Sequence, residues 1–247
     1  MNPSHMRYEF YYWPTIQGRG EFIRLALEEA DADYVDVARR SEHSGMGVPA
    51  LMRFLESAAI EYPPFAPPFL KAGDQIIGQT ANILAFLGPR LGLAPKDESG
   101  RLWANQLQLT VADLITEVHD THHPIASSLY YKDQKPEALR RAANFTAERL
   151  PRFLDYFESI LERNPHGINY MVGDALSYVD LSMFQIVAGL RYAFPRTMKK
   201  LEPDYARLIA LHDRVILRPR IKAYLASVRR VPFSKEGIFR HYTELDT

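Results

Sequence analysis

The chain has no cysteine among its 247 residues. That absence removes disulfides, thiolate metal sites, redox dithiols and every mechanism that needs an enzyme thiol as nucleophile. Any sulfur chemistry must use a sulfur carried in by a ligand. An excess of either charge is missing too: 30 Lys and Arg balance 30 Asp and Glu, for a formal net charge of +0. No broad positive field is available to hold a polyanion, so nucleic acid is not expected as a partner. Uninterrupted apolar runs fall well short of the ~20 residues that span a bilayer. No basic segment leads into an apolar signal core. The expectation is a cytoplasmic protein with no membrane partner.

What is present is a globular composition, 47% hydrophobic and 24% charged, which excludes disorder and fibrous repeats. Met1–His5 are set aside as an unstructured start. Arg7–Trp13 alternate as a strand, with Tyr8, Phe10 and Tyr12 on one face and Glu9, Tyr11 and Trp13 on the other. Pro14 ends it. After a loop through Gly18, Phe22, Ile23, Ala26 and Leu27 recur at the spacing of one helix face, predicting a helix over Gly20–Ala30. Tyr34–Val37 reads as a short strand and Val48–Leu55 as a short helix, while Arg39–Glu61 has no assigned role. Phe69–Lys71 and Gln75–Ile77 flank an Ala-Gly-Asp turn and predict a hairpin. A helix opening at Gly78–Asn82 is expected to stop at Gly88-Pro89.

Beyond Gly92–Lys96 the pattern is helical almost throughout: Arg101–His119, Pro136–Arg163, Tyr178–Phe194, Tyr205–Leu217 and Ile221–Val228. The expected fold class is a small α/β unit, residues 1–91, followed by an all-helical domain, residues 97–247.

Several separated pieces match one family. Tyr8–Pro14 with Gly18-Arg19-Gly20-Glu21-Phe22-Ile23-Arg24 resembles the first strand and helix of tyrosine-type glutathione transferases, the sigma class most and the pi class next. Pro67-Pro68-Phe69-Leu70, Gly73-Asp74 and Gln79-Thr80 with Asn82-Ile83 resemble the family's cis-proline strand, hairpin and glutathione-carboxylate segment. Gly173-Asp174 with Ser177–Asp180 resembles its helical-domain capping motif, and Pro219–Leu225 its closing helix. The resemblance implies a thioredoxin-like domain on a helical domain, a homodimer, and conjugation of glutathione, as co-substrate, to small hydrophobic electrophiles in detoxification.

The chemistry asks for a donor aimed at sulfur. A thiol with a pKa of about 8.5 is mostly protonated at neutral pH, and the thiolate is the nucleophile. A tyrosine hydroxyl, with a pKa of about 10, can donate to that anion and keep its own proton. Tyr12 fits the motif, with Tyr11 as the alternative, because an extra residue between Trp13 and Gln17 leaves the register open. The two tyrosines point to opposite faces of a regular strand, so only one can reach the ligand.

Pro68 is expected to follow a cis bond and to set Pro67 against a peptide ligand; Pro67 keeps its carbonyl but has no N–H, so only half of a two-way pairing is available there. Gln79 and Thr80 stand at a helix start, where a hydroxyl and free N–H groups suit a carboxylate, although Thr80 can equally cap its own helix. Arg19, and Gln17 beside it, either support the loop or reach the ligand.

Competing readings exist. Asp113 reads as a solvated helix residue. Ser177-x-x-Asp180 has capping-box spacing and reads as a folding element. His119-Asp120-Thr121-His122-His123 places two imidazoles at i, i+4, a spacing able to hold a metal, but no Glu follows His119 and Pro124 ends the helix. The expectation is no metal, with these histidines lining the second-substrate cleft. The alternatives to an enzyme are a non-catalytic ligand-binding or interaction protein on the same fold and, more remotely, a metal-dependent hydrolase built on the histidines.

Overall fold

The structure, a computed structural model, describes residues 6–246. The expectation for Met1–His5 lies outside the described residues. Four strands form one mixed sheet in the order β2-β1-β3-β4. They are β1 Tyr8–Tyr11, β2 Tyr34–Asp36, β3 Phe69–Ala72 and β4 Gln75–Gly78. β1 and β2 run parallel, joined through helix α1 (Gly20–Glu29), whereas β3 is antiparallel to both β1 and β4. Such a β-α-β crossover followed by a hairpin, with helices against the sheet, is a thioredoxin-like layer.

The expected strand alternation decides which core each ring enters. Tyr8, Phe10 and Tyr12 join the large core shared with the helical part. Tyr11 joins a smaller cluster with Val35, Leu51 and Phe69, under α2 (Gly47–Glu56). The β3–β4 turn needs only Gly73 and Asp74, with Gly73 at φ 62°.

Helix α3 (Thr80–Leu91) does not stop at Gly88-Pro89 as expected; it runs on to Leu91 and ends at Gly92, which is left-handed at φ 70°. Pro89 forfeits one helical hydrogen bond and crowds the preceding turn, a cost confined here to the last turn of the helix. Gly88 is retained inside the helix because a Cβ there would fall 2.7 Å from the Tyr178 ring. Tyr178 opens a helix of the next layer, so packing across the layers outweighs the local break signal.

The all-helical part comprises α4 (Glu98–Asp120), α5 (Lys135–Asn144), α6 (Leu150–Arg163), α7 (Tyr178–Ala193), α8 (Pro195–Leu201), α9 (Ala206–Ile216) and α10 (Pro219–Leu225). The single helix expected over Pro136–Arg163 is divided by a π-helical turn at Phe145–Arg149. No expectation covered α8. Helix α7 is its axis and is buried along most of its length. Asp180 holds the start of α7: its carboxylate accepts from the Ser177 N–H and hydroxyl, both at 2.7 Å, and from the Met171 N–H at 2.7 Å. Burial raises its carboxyl to about 6 against those donors. Among the described residues no helix is long and apolar enough to cross a membrane.

Candidate functional site

Strand register brings the candidate residues to one end of the sheet. Tyr11 pairs with Phe69 and Phe69 pairs with Gly78. One step further along each chain lie Tyr12, Pro68 and Gln79, three residues far apart in sequence. The Pro67–Pro68 peptide bond is cis. Gln79 sits at φ 68° and ψ 126° just before α3, a conformation that a non-glycine residue adopts only under constraint.

The two tyrosines have different surroundings. The Tyr11 hydroxyl donates to Glu9 Oε2 at 2.7 Å, and its ring stacks on Phe69 at 4.5 Å between centroids. It is committed to the small core beneath α2. The Tyr12 hydroxyl accepts from the Arg19 N–H at 2.9 Å. Burial raises the Tyr12 pKa above its ordinary 10.0, and the Arg19 amide and the Arg24 guanidinium only partly oppose that. The phenol therefore keeps its proton through the neutral range and can donate it.

Two glycines permit this approach. A side chain at Gly18, whose φ is 47°, would collide with the Tyr12 hydroxyl, and one at Gly20 with the Tyr12 ring. The loop backbone lies against the phenol because those positions carry no Cβ.

Arg19 is also tied to the other half of the site. Its carbonyl accepts from Thr80 Oγ1 at 3.3 Å, while its Nη2 lies 3.5 Å from Thr116 Oγ1 on α4. A groove of about 350 Å³ opens here, between the start of α3 (Gln79, Thr80, Asn82) and the α4 side chains Asn105, Gln108 and Ala112. Exposed N–H groups at the start of α3 and the Thr80 hydroxyl favour an anionic occupant. Pro67 adds a carbonyl at the cis bond. The geometry thus groups Tyr12, Arg19, Gln79, Thr80 and the Pro67–Pro68 bond, and leaves Tyr11 on the opposite face of the sheet.

A buried network fixes the loop from behind. Gln17 Nε2 donates to the Val231 carbonyl at 2.5 Å and Gln17 Oε1 accepts from Gln185 at 2.7 Å. Arg230 joins Gln185 Oε1 (3.0 Å) to the Glu21 carboxylate, which also accepts from Tyr224 (2.6 Å) and, at 3.4 Å, from Arg24. Arg24, fully buried, bonds Asp36 at 2.8 Å and stands 5.7 Å from the Tyr12 ring centroid. Sequence reasoning missed the roles of Arg24, Gln185 and Arg230. A charged residue on a helix face gives no signal of burial until its distant partners are known. The α4 residues Asn105 and Gln108, which line the groove, were not singled out either, because only the packing of α4 against α3 brings them there.

Comparison with known proteins points to one family. Residues 119–228 match the family model described as glutathione S-transferase, C-terminal domain. The chain is 25% identical over 213 residues to a glutathione S-transferase of Plasmodium yoelii yoelii, covering 85% of this chain and 90% of that one. It is 28% identical over 228 residues to glutathione S-transferase P 1 of Xenopus laevis, covering 90% and 93%. In fold it is similar to the structure of the Onchocerca volvulus pi-class glutathione S-transferase, with TM-score 0.67, 23% identity, and coverage of 88% and 91%. Together these similarities support the glutathione S-transferase family.

Proposed function

We infer that the chain is a glutathione transferase, joining the thiolate of reduced glutathione to small hydrophobic electrophiles. The observation that carries this reading is the Tyr12 hydroxyl, held by the Arg19 amide at the same sheet end as the cis Pro67–Pro68 bond and the start of α3. The class within the family is proposed as tyrosine-type, sigma-like with pi similarity; the relative named P 1 supports the pi side.

The proposed roles follow from the chemistry. Tyr12 donates its hydroxyl proton in a hydrogen bond to the sulfur. The Arg19 N–H, by bonding the phenol oxygen, makes the hydroxyl a stronger donor. A hydrogen bond to an ion contributes about 1.5–3 kcal/mol, and one pKa unit is about 1.4 kcal/mol, so this bond lowers the thiol pKa by about one to two units. Pro67 offers its carbonyl to the cysteinyl N–H, and without an N–H of its own supplies half of a strand pairing. Gln79, Thr80 and the N–H groups of α3 take the γ-glutamyl carboxylate. Arg19 holds the loop through its main chain and lends positive charge. No residue in this scheme needs a metal.

A homodimer is part of the proposal. Phe65 is 96% exposed and Tyr62 76% exposed, both on the segment leading to the cis bond. A groove of about 650 Å³ on α4 and α6 sets the Phe153 and Tyr156 rings among the charged side chains of Asp113, Glu117, Arg149 and Arg152. Exposed rings on a proline-stiffened segment are costly to leave in water and suit insertion into a second copy. The physiological reading, also proposed, is detoxification in the cytoplasm.

Purified protein mixed with reduced glutathione and a chromogenic aryl halide tests the reading. An enzyme gives a rate above the uncatalysed one, saturable in both substrates. A protein that binds an S-alkyl glutathione yet adds no rate with any electrophile class would be the non-catalytic alternative.

A further inference from the structure

The end of α4 carries three imidazoles that the scheme above leaves unused. His119, His122 and His123 each offer a ring nitrogen, and those nitrogens all lie within 4.8 Å of one another. The ring centroids are 5.0, 5.0 and 4.8 Å apart. Spacing alone suggested only the His119–His123 pair. The fold adds His122, which follows the last helical residue, Asp120, and turns back toward the other two.

The hydrogen bonds of His122 set its protonation. Its Nε2 is 2.7 Å from the Ile238 carbonyl, which can only accept, so Nε2 carries the hydrogen. In the neutral ring Nδ1 is then an acceptor, and without an ion it takes the hydrogen of His123 Nδ1, 2.5 Å away; a metal ion would take the place of that hydrogen, with His123 carrying its own on Nε2. A ring nitrogen whose opposite N–H is tied to a main-chain carbonyl is the arrangement in which histidine binds metals, because the carbonyl fixes tautomer and orientation together. His122 is 1% exposed, whereas His119 and His123 are half-buried and can rotate to close around an ion.

We propose that His119, His122 and His123 form a three-imidazole site for a divalent transition-metal ion of the zinc class, with at least one further coordination position open. The ligand set selects this class. Three neutral nitrogen donors suit Zn²⁺, Co²⁺, Ni²⁺ or Cu²⁺, whereas Mg²⁺ and Ca²⁺ require oxygen ligands that the cluster lacks.

The surrounding charges are mixed. Arg240 faces all three rings and Arg19 faces His119, both opposing a cation. Asp120 Oδ1, 3.9 Å from His119 Nδ1, favours one. The balance points to moderate affinity and to ions that bind imidazole strongly. Thr116, one turn before His119 on α4, touches the Arg19 side chain, so the histidine cluster lies near the candidate site. The inference does not rest on the transferase reading.

The test uses the full chain, tag-free and stripped with chelator, in the absence of glutathione. Co²⁺ is titrated while visible absorption is recorded, and Zn²⁺ is titrated by calorimetry. The proposal expects saturation at one ion per chain, a rise in melting temperature with Zn²⁺, and at least about tenfold weaker binding in His119→Ala and in His123→Ala. Both substituted residues are half-buried, so these variants keep the buried His122 anchor. His43→Ala, at an exposed and separate position, is the control and should bind as the parent does. Absence of saturable one-to-one binding, or binding that both variants leave unchanged, overturns the proposal whether or not the protein conjugates glutathione.

Discussion

The main-chain N–H of Arg19 and the hydroxyl oxygen of Tyr12 are 2.9 Å apart, and an amide can only donate. The phenol oxygen therefore accepts from within the protein, and among the described residues no acceptor takes its own hydrogen, which the proposal assigns to the ligand's sulfur. Tyr11, one residue away, spends its hydrogen on Glu9. This asymmetry between neighbouring tyrosines underlies the first prediction.

Tyr12→Phe should lower kcat/KM for conjugation by about ten- to a hundredfold, the worth of one hydrogen bond to an ion, with little change in glutathione affinity. Tyr11→Phe should keep the rate within about twofold and cost at most about 1 kcal/mol of stability, since its partner Glu9 is also held by Lys71. Steady-state kinetics on both variants separates them. A loss confined to Tyr11→Phe would reassign the sulfur ligand.

Gly20→Ala puts a methyl group where the Tyr12 ring lies. The ring must shift, and misplacing a catalytic group by about 1 Å costs on the order of a hundredfold in rate. We expect kcat to fall by at least about tenfold, with glutathione still bound. Kinetics combined with calorimetric titration of glutathione checks this; unchanged kcat would mean that the loop gives way and the phenol does not move.

Glu21 compensates two buried guanidiniums, Arg24 and Arg230, and accepts from Tyr224. Glu21→Ala leaves both cations without that carboxylate and should destabilise the fold by about 3–5 kcal/mol. Tyr224→Phe removes one neutral donor and should cost only about 1–2 kcal/mol. Denaturant unfolding of the pair checks the ordering. Equal losses would show that the charge on Glu21 is not what the network requires.

Glu117 lies between Arg149 and Arg141, whose hydrogen bonds, Arg149 foremost, hold its carboxyl below the ordinary 4.5. The unfolded chain, with the ordinary value, takes up this proton first as pH falls. The ion pair's stabilisation is therefore present above pH 4.5 and is lost as pH drops through the folded value. Glu117→Gln should flatten the acid limb of a stability–pH profile below pH 4.5 and leave the slope above it unchanged.

The sequence was informative wherever a signal is local. Alternation in Tyr8–Tyr12 sorted the rings between two cores, the Gly73-Asp74 turn announced its hairpin, and Ser177-x-x-Asp180 marked the start of α7. Local signals misled where distant packing decides. Gly88-Pro89 reads as a helix end, yet Tyr178 needs Gly88 within the helix. The π-helical turn at Phe145–Arg149 left no trace in the apolar spacing on either side of it. Within Arg39–Glu61, α2 covers Tyr11, with Leu51 and Phe54 as the apolar anchors. Of the candidate site, the sequence named side chains that the fold brings to one end of the sheet, whereas the separation of Tyr11 from Tyr12 needed the strand to end. Tyr12 lies one residue past β1, where the Gly18–Gly20 backbone can reach it.

The central claim is that a hydroxyl in this protein holds a borrowed sulfur as an anion. The most direct measurement is a pH titration of protein-bound glutathione, followed by the ultraviolet absorbance of its thiolate. The account predicts an apparent thiol pKa about one to two units below the free value of about 8.5, returning toward that value in Tyr12→Phe and staying low in Tyr11→Phe. A bound thiol that titrates as it does in water, or a depressed value that survives Tyr12→Phe, would contradict it.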